Sequence, residues 1–270
     1  MPPGLEPRYH VAQLARCAGP RCSRRALRQN LIMRDGFGSL SEAWERNAAD
    51  WARWTRAPAH DVYHERLNWP AFRDLLPTAG RRTLDVGCGE GRVGRALQSE
   101  GHRVVGIDSS PTLLELAREA GGYEELVCGD AAALPWADHA FDLAIAYMSL
   151  QDVDDVQGAV AEIARVVEPG GRLCLAIVHP LNRPADALED YFDEHRFAER
   201  LELDGLGMTF ASIDRPLEAY TRKLASAGFL IQELREPRPS SATLAAEPRL
   251  AKARRRPYFL HMRCILQPLE

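Results

Sequence analysis

Between residues 81 and 178 short apolar runs alternate with stretches whose apolar residues recur at helical spacing, and this predicts a parallel sheet with crossover helices. Strands are expected near Thr83 to Val86, Arg103 to Ile107, Glu125 to Cys128, Phe141 to Tyr147 and Arg172 to Val178. Helices fall between them: Arg92 to Glu100 closed by Gly101, Pro111 to Ala120 closed by Gly121, and Val156 to Val167 after the cap candidates Asp154 and Asp155. "EPGG", Glu168 to Gly171, reads as the turn into the fifth strand. Upstream, Ser39 and Glu42 have capping-box spacing, and Trp44, Ala48 and Trp51 share one helical face. Downstream, Leu181 to Leu206 reads as charged and irregular, "MTFASIDR" as a strand, and "PLEAYTRKLASAG" as a helix opened by Pro216 and closed by Gly228. "FLIQELRE" and "YFLHMRCIL" read as a terminal antiparallel pair, joined by a loop from Pro237 to Pro257.

Five strands in this order make a doubly wound α/β sheet. Residues 1–32 carry six Arg against one acid with no amphipathic period, and are expected to form a disordered tail. Residues 33–77 form an N-terminal helical cap, and 78–270 the main domain, with a substrate-lid insertion at about 181–214.

Composition narrows the function. A chain of 270 residues can bury one sizeable core, and a net charge of -4 gives no sign of a nucleic-acid partner. No apolar run approaches the roughly 20 residues that cross a bilayer. Six scattered cysteines read as small hydrophobes in a reducing compartment, so a soluble, cytoplasmic protein is expected. The acidic stretch from Asp186 to His195 reads as solvated charge, and no metal is expected.

"TLDVGCGEGRVGRAL", Thr83 to Leu97, contains two glycine patterns. Gly89-x-Gly91-x-x-Gly94 matches a dinucleotide turn. The strand, however, ends at Gly87, and counted from there the pattern is Gly87-x-Gly89-x-Gly91. Asp85 and Glu90 bracket the turn, which repels pyrophosphate and attracts an ammonium or a sulfonium. Asp108, after the second strand, can accept from two ribose hydroxyls, a device that nicotinamide enzymes also use. Asp130, after the third, can accept from an adenine amino group, with the Ala131 amide available to a ring nitrogen.

At this point the chain resembles the class I S-adenosylmethionine-dependent methyltransferases, in particular the broad ubiquinone and menaquinone biosynthesis group. "LDVGCGEGRVGRAL", "VVGIDSSPTLLELAREA", "GDAAALPWADHAFDLAIAYMSLQDVDD" and "EIARVVEPGGRLCLAIVHP" match that family's motifs in order and separation over residues 80–180. The resemblance implies a Rossmann-like, seven-stranded sheet, mostly parallel with an antiparallel last strand, helices on both faces, and S-adenosyl-L-methionine as cofactor. By position, Asp85, Gly87, Cys88, Gly89 and Gly91 would surround its methionine part, Asp108 with Ser109 the ribose, and Asp130 with Ala131 the adenine. Met148 would lie against it after strand four. Where relatives often carry paired histidines, this chain has Gln151 and Asp152.

Methyl transfer is a direct displacement, so alignment can supply most of the catalysis. His179, after strand five, is the leading candidate base and Asp152 the second. Tyr63, Tyr147 and Gln151 are candidate contacts to a small-molecule methyl acceptor. Two alternatives remain open at this level: a non-catalytic S-adenosylmethionine-binding module and a nicotinamide-dependent oxidoreductase.

Overall fold

The computed structural model describes residues 28–34, 36, 38–183 and 188–268, the first segment by its backbone path alone. The central sheet has seven strands in the order β4-β3-β2-β5-β6-β10-β9. These are β2 (Thr83–Val86), β3 (Val104–Asp108), β4 (Glu125–Cys128), β5 (Phe141–Tyr147), β6 (Val167–Val178), β9 (Phe229–Arg235) and β10 (Phe259–Leu266). β2 to β6 run parallel, while β10 is antiparallel to both β6 and β9, which gives the expected mostly parallel sheet.

Strand alternation decides which side chains meet which helices. Leu84, Val86, Ala144 and Ala146 pack with Val156, Val160 and Ile163 of α5 (Val156–Val166) and Leu224 of α6 (Leu217–Ser226). On the opposite face Leu143, Ile145 and Tyr147 meet Val93 and Leu97 of α3 (Arg92–Ser99) and Phe72 of α2 (Trp69–Arg73). Strand order reverses between β2 and β5, so the carboxyl ends of these strands open a crevice.

α1 (Leu40–Arg56) begins with the expected capping box, Ser39 and Glu42 bonding reciprocally. It packs against a second sheet of order β1-β7-β8, made of β1 (Arg28–Arg34), β7 (His195–Leu203) and β8 (Leu206–Asp214). Leu40 and Ala43 meet Ala198, Ala211 and Ile213, and Trp54 meets Leu203 and Met208 with Trp44, Trp51 and Phe210 around them. The tryptophan cluster is therefore the core of this cap.

Four expectations need correction. Residues 28–32, expected in the tail, belong to β1, which pairs with β7; residues 1–27 lie outside the described residues. The stretch read as irregular contains β7, joined to β8 by a two-residue turn of Asp204 and Gly205, both left-handed at φ 51° and 81°. The Pro237 to Pro257 connection holds two short helices, α7 (Ser241–Ala246) and α8 (Ala251–Arg255). Finally, β6 starts earlier than expected, at Val167, with an irregular register where "EPGG" passes Phe141 to Leu143.

Candidate active site

The turn that leaves β2 is shaped by three left-handed glycines: Gly87, Gly89 and Gly91 have φ of 72°, 56° and 88°. A side chain at Gly87 would collide with Ser149, so the turn presses against the loop that follows β5. The Gly87 and Cys88 amides both donate to the Ile107 carbonyl, at 2.8 and 3.0 Å. The Gly89 amide donates to Asp108 Oδ2 at 2.8 Å and the Ser110 amide to Oδ1 at 2.9 Å. Each carboxylate oxygen retains a second lone pair, so Asp108 can still accept from two hydroxyls.

Asp85 is 1% exposed, and its Oδ2 accepts the Tyr123 hydroxyl at 2.7 Å. Burial pushes its carboxyl up to about 7; the Tyr123 bond opposes the rise and the charge of Asp108 adds to it. Burial also raises Asp108, against the bonds from the Ser110 and Gly89 amides, and holds Cys88 as a neutral thiol. Glu90 differs. It is buried, but Arg95 lies 2.9 Å and Arg56 3.7 Å from its Oε2. Among the described residues the turn thus carries two carboxylates with no paired cation, and a pyrophosphate there would add like charge. Gly94, the glycine that completes the dinucleotide pattern, has another cause: a side chain there would overlap the Tyr123 ring.

The comparisons agree with this electrostatic preference. Residues 84–175 match the family model described as "Methyltransferase domain". Over 137 residues the chain is 34% identical to the demethylmenaquinone methyltransferase of Renibacterium salmoninarum, covering 47% of this chain and 58% of that one. It is 30% identical over 140 residues to the malonyl-[acyl-carrier protein] O-methyltransferase of Pectobacterium atrosepticum, covering 51% and 55%. The chain therefore spans less than two thirds of either relative. The crystal structure of an S-adenosylmethionine-dependent methyltransferase from Mesorhizobium loti superimposes with a TM-score of 0.58 at 27% identity, covering 73% of this chain and 97% of that one. Residues 84–175 thus carry a methyltransferase domain, and the comparisons support a class I S-adenosylmethionine-dependent methyltransferase.

The family's cofactor is S-adenosylmethionine, and the residues present fit it. Asp85 and Asp108 await positive charge and hydroxyl donors, and above Gly89 the nearest atom is Trp51 Nε1, 3.9 Å from where a Cβ would stand. A backbone without side chains facing that space lets a ligand approach closely. Asp130 is exposed after β4, and its Oδ1 accepts the Ala132 amide at 2.9 Å; Ala131 is partly buried beside it. Ser109 is exposed after Asp108. Met148 follows β5 in the left-handed region at φ 59°, an uncommon conformation for a residue with a side chain, and its amide is fixed to the Ala176 carbonyl at 2.8 Å.

The other sequence candidates divide sharply. Asp152 is half-buried at the crevice, and burial raises its carboxyl well above the usual range. A Ser212 bond and the charge of Arg215 oppose that rise, and Asp108 reinforces it. His179 is buried with both ring nitrogens engaged: Nδ1 accepts the Leu181 amide at 3.1 Å and Nε2 lies 2.9 Å from Glu236. No lone pair is left for a substrate proton, so His179 is withdrawn as a base. Gln151 Oε1 accepts the Val178 amide at 2.7 Å, which prolongs β6 and commits the side chain to structure. Tyr63 stacks on Tyr258 at 4.1 Å and donates to the Arg249 carbonyl at 3.2 Å, tying the cap to the C-terminal helices. Tyr147 is buried, with its hydroxyl 2.9 Å from His64 Nδ1.

Several contributors escaped the sequence reading. His64 lies in a π-helical turn (His64–Asn68), a local distortion with no spacing signal. Burial and the Arg92 charge pull its imidazole down to about 3, against Asp61, so it is neutral. Glu45 of α1 accepts from the Ser110 and Thr112 hydroxyls at the start of α4 (Pro111–Ala120). Asp154 accepts the Leu40 amide at 2.9 Å through Oδ2 and pairs with Arg196 of β7 through Oδ1. Buried Arg215 donates to the Val153 carbonyl at 2.8 Å and to Glu194 at 3.2 Å, anchoring the end of β8 to the loop after β5. Among the described residues no group of three or more His, Cys, Asp or Glu could hold a metal ion, and no helix is long and apolar enough to cross a membrane.

Proposed function

We propose that the protein catalyses methyl transfer from S-adenosylmethionine to an oxygen or carbon nucleophile of a small molecule. When bound, the cofactor supplies a methyl group activated by its sulfonium. The observation that carries the proposal is the pair of carboxylates at the glycine turn, buried Asp85 and half-buried Asp108, both raised by desolvation and, among the described residues, unmatched by a cation. Asp85, Gly87, Cys88, Gly89 and Gly91 form the methionine end of the site. Asp108 with Ser109 receives the ribose, Asp130 with Ala131 the adenine, and Met148 stands at the methyl-transfer end.

Asp152 takes the proton released by the acceptor. Burial raises its carboxyl, so its carboxylate, once formed, is a stronger base than that of an exposed aspartate. The Ser212 hydroxyl of β8 donates to the adjoining Gln151 carbonyl at 3.2 Å, which ties this loop to the cap. α1 is bonded both to the loop after β5 and to the start of α4, and this cover over the ligand end of the sheet supports a small acceptor. The names of the relatives agree with this scale, one acting on demethylmenaquinone and one on a malonyl group carried by a protein.

Calorimetric titration with S-adenosylhomocysteine and with NADH, on wild type and Asp108→Ala, tests cofactor choice. Binding of the first, lost or weakened at least tenfold in the variant, is expected. NADH binding alone would overturn the proposal. A methyl-transfer screen on small phenols, quinol precursors and malonyl thioesters then tests the acceptor. Asp152→Asn should lower kcat by about 10²–10⁴-fold with cofactor affinity retained; cofactor binding with no turnover on the whole panel would favour a binding module.

A further inference from the structure

Tyr123 belongs to none of the sequence motifs. It lies in the connection between α4 and β4, yet its ring runs beneath the glycine turn. Three glycines make room for it. A side chain at Gly106 would stand 2.8 Å from Cε1, one at Gly91 3.1 Å from Cε2, and one at Gly94 would overlap the ring. The hydroxyl at the end of this slot accepts the Gly94 amide at 3.1 Å, in the first turn of α3, and donates to Asp85 Oδ2 at 2.7 Å. One hydroxyl thereby joins a helix start to the carboxylate at the base of the turn.

We propose that Tyr123 is a positioning residue for the cofactor: its hydroxyl, held by the Gly94 amide, fixes the Asp85 carboxylate and favours its charged form toward a cationic ligand group. The proposal rests on the methyl-transfer reading and names a residue through which the turn acts.

The surroundings of Asp85 leave this role to Tyr123. Asp108 at the end of β3 opposes the charge of Asp85, Cys88 in the turn is a neutral thiol, and Glu90 is taken up by Arg95 and Arg56. From β5, apolar Ile145 is the residue in register with Asp85. Tyr123 supplies the donor that works against burial and against Asp108. Without it Asp85 would hold its proton to a higher pH, and a neutral carboxyl has no attraction for an ammonium.

Tyr123→Phe tests this, because phenylalanine still fills the slot and removes the hydroxyl alone. Carbon-13 NMR of the Asp85 carboxyl in the free protein should give a midpoint near 7 in wild type, and about one pH unit higher in the variant. Calorimetry with S-adenosylhomocysteine, which carries the ammonium, should show the variant about fivefold weaker at pH 7 and equal to wild type by pH 9. In an Asp85→Asn background the same substitution should have no pH-dependent effect. An unmoved Asp85 midpoint, or a loss of affinity that is the same at every pH, would overturn the proposal and leave Tyr123 as filler. Failure of wild type to bind S-adenosylhomocysteine at any pH would instead sink the methyl-transfer reading, and the NMR midpoints would then decide whether Tyr123 governs Asp85.

Discussion

Asp85→Asn separates the function of this carboxylate from its cost to the fold. The folded protein holds the Asp85 proton to about pH 7, whereas the unfolded chain releases it near the ordinary value of 3.8. Between those values the folded state binds more protons, so stability falls as pH rises. The full penalty, reached above pH 7, is about 4 kcal/mol from that difference, of which about 2.5 kcal/mol develops between pH 5 and pH 8. Asparagine keeps an acceptor for Tyr123 and cannot ionise, but its amide hydrogens add a donor to a site 1% exposed, at a cost of about 1–3 kcal/mol. The variant should therefore lie within about 1.5 kcal/mol of wild type at pH 5 and be more stable at pH 8. Urea unfolding of the free protein at both pH values measures the difference. A stability difference that does not move by at least about 1 kcal/mol in that direction would refute the assignment of Asp85 as a buried, proton-holding carboxyl. The same variant should bind S-adenosylhomocysteine more weakly at pH 8, so stability and affinity change in opposite directions.

Two further outcomes follow from the site. His179→Asn should leave the pH profile of kcat unshifted, since both ring nitrogens are bonded within the protein; loss of the acidic limb would return His179 to catalysis as a base. Gly94→Ala should destabilise the fold by about 1–3 kcal/mol in thermal or urea unfolding, because the new methyl meets the Tyr123 ring. An unchanged protein would mean that the slot is looser than its geometry indicates.

Much of the sheet was legible because burial on both faces writes itself into continuous apolar runs. "TLDV", "FDLAIAY" and "RLCLAIV" have no competing reading once helical spacing separates them. β7 was not legible in the same way. In "HRFAERLEL" only Ala198 and Leu203 are buried, so charge masks the strand, and the Asp204-Gly205 pair was the unread signal that could have found the hairpin. The glycine turn and Asp108 could be placed from strand ends alone, because ligands of doubly wound sheets gather there. What such placement does not reveal is where a side chain's hydrogen bonds go. His179 stands at the ligand end of the sheet, yet Glu236 and the Leu181 amide claim it; Gln151 is claimed by the Val178 amide. Tyr123, His64 and Glu45 act across distances in sequence that no motif spans.

The contacts that hold α1 down are ionic or charge-assisted more than apolar where they cross the crevice: Glu45 to Ser110 and Thr112, Asp154 to the Leu40 amide and Arg196, Arg56 to Glu90. Contacts of this kind at partly exposed positions weaken as mobile ions screen them. The cap would then behave as an electrolyte-sensitive gate, with dissolved salt, before heat, setting how often the crevice opens. Ligand exchange should quicken with ionic strength well before the sheet beneath loses any stability.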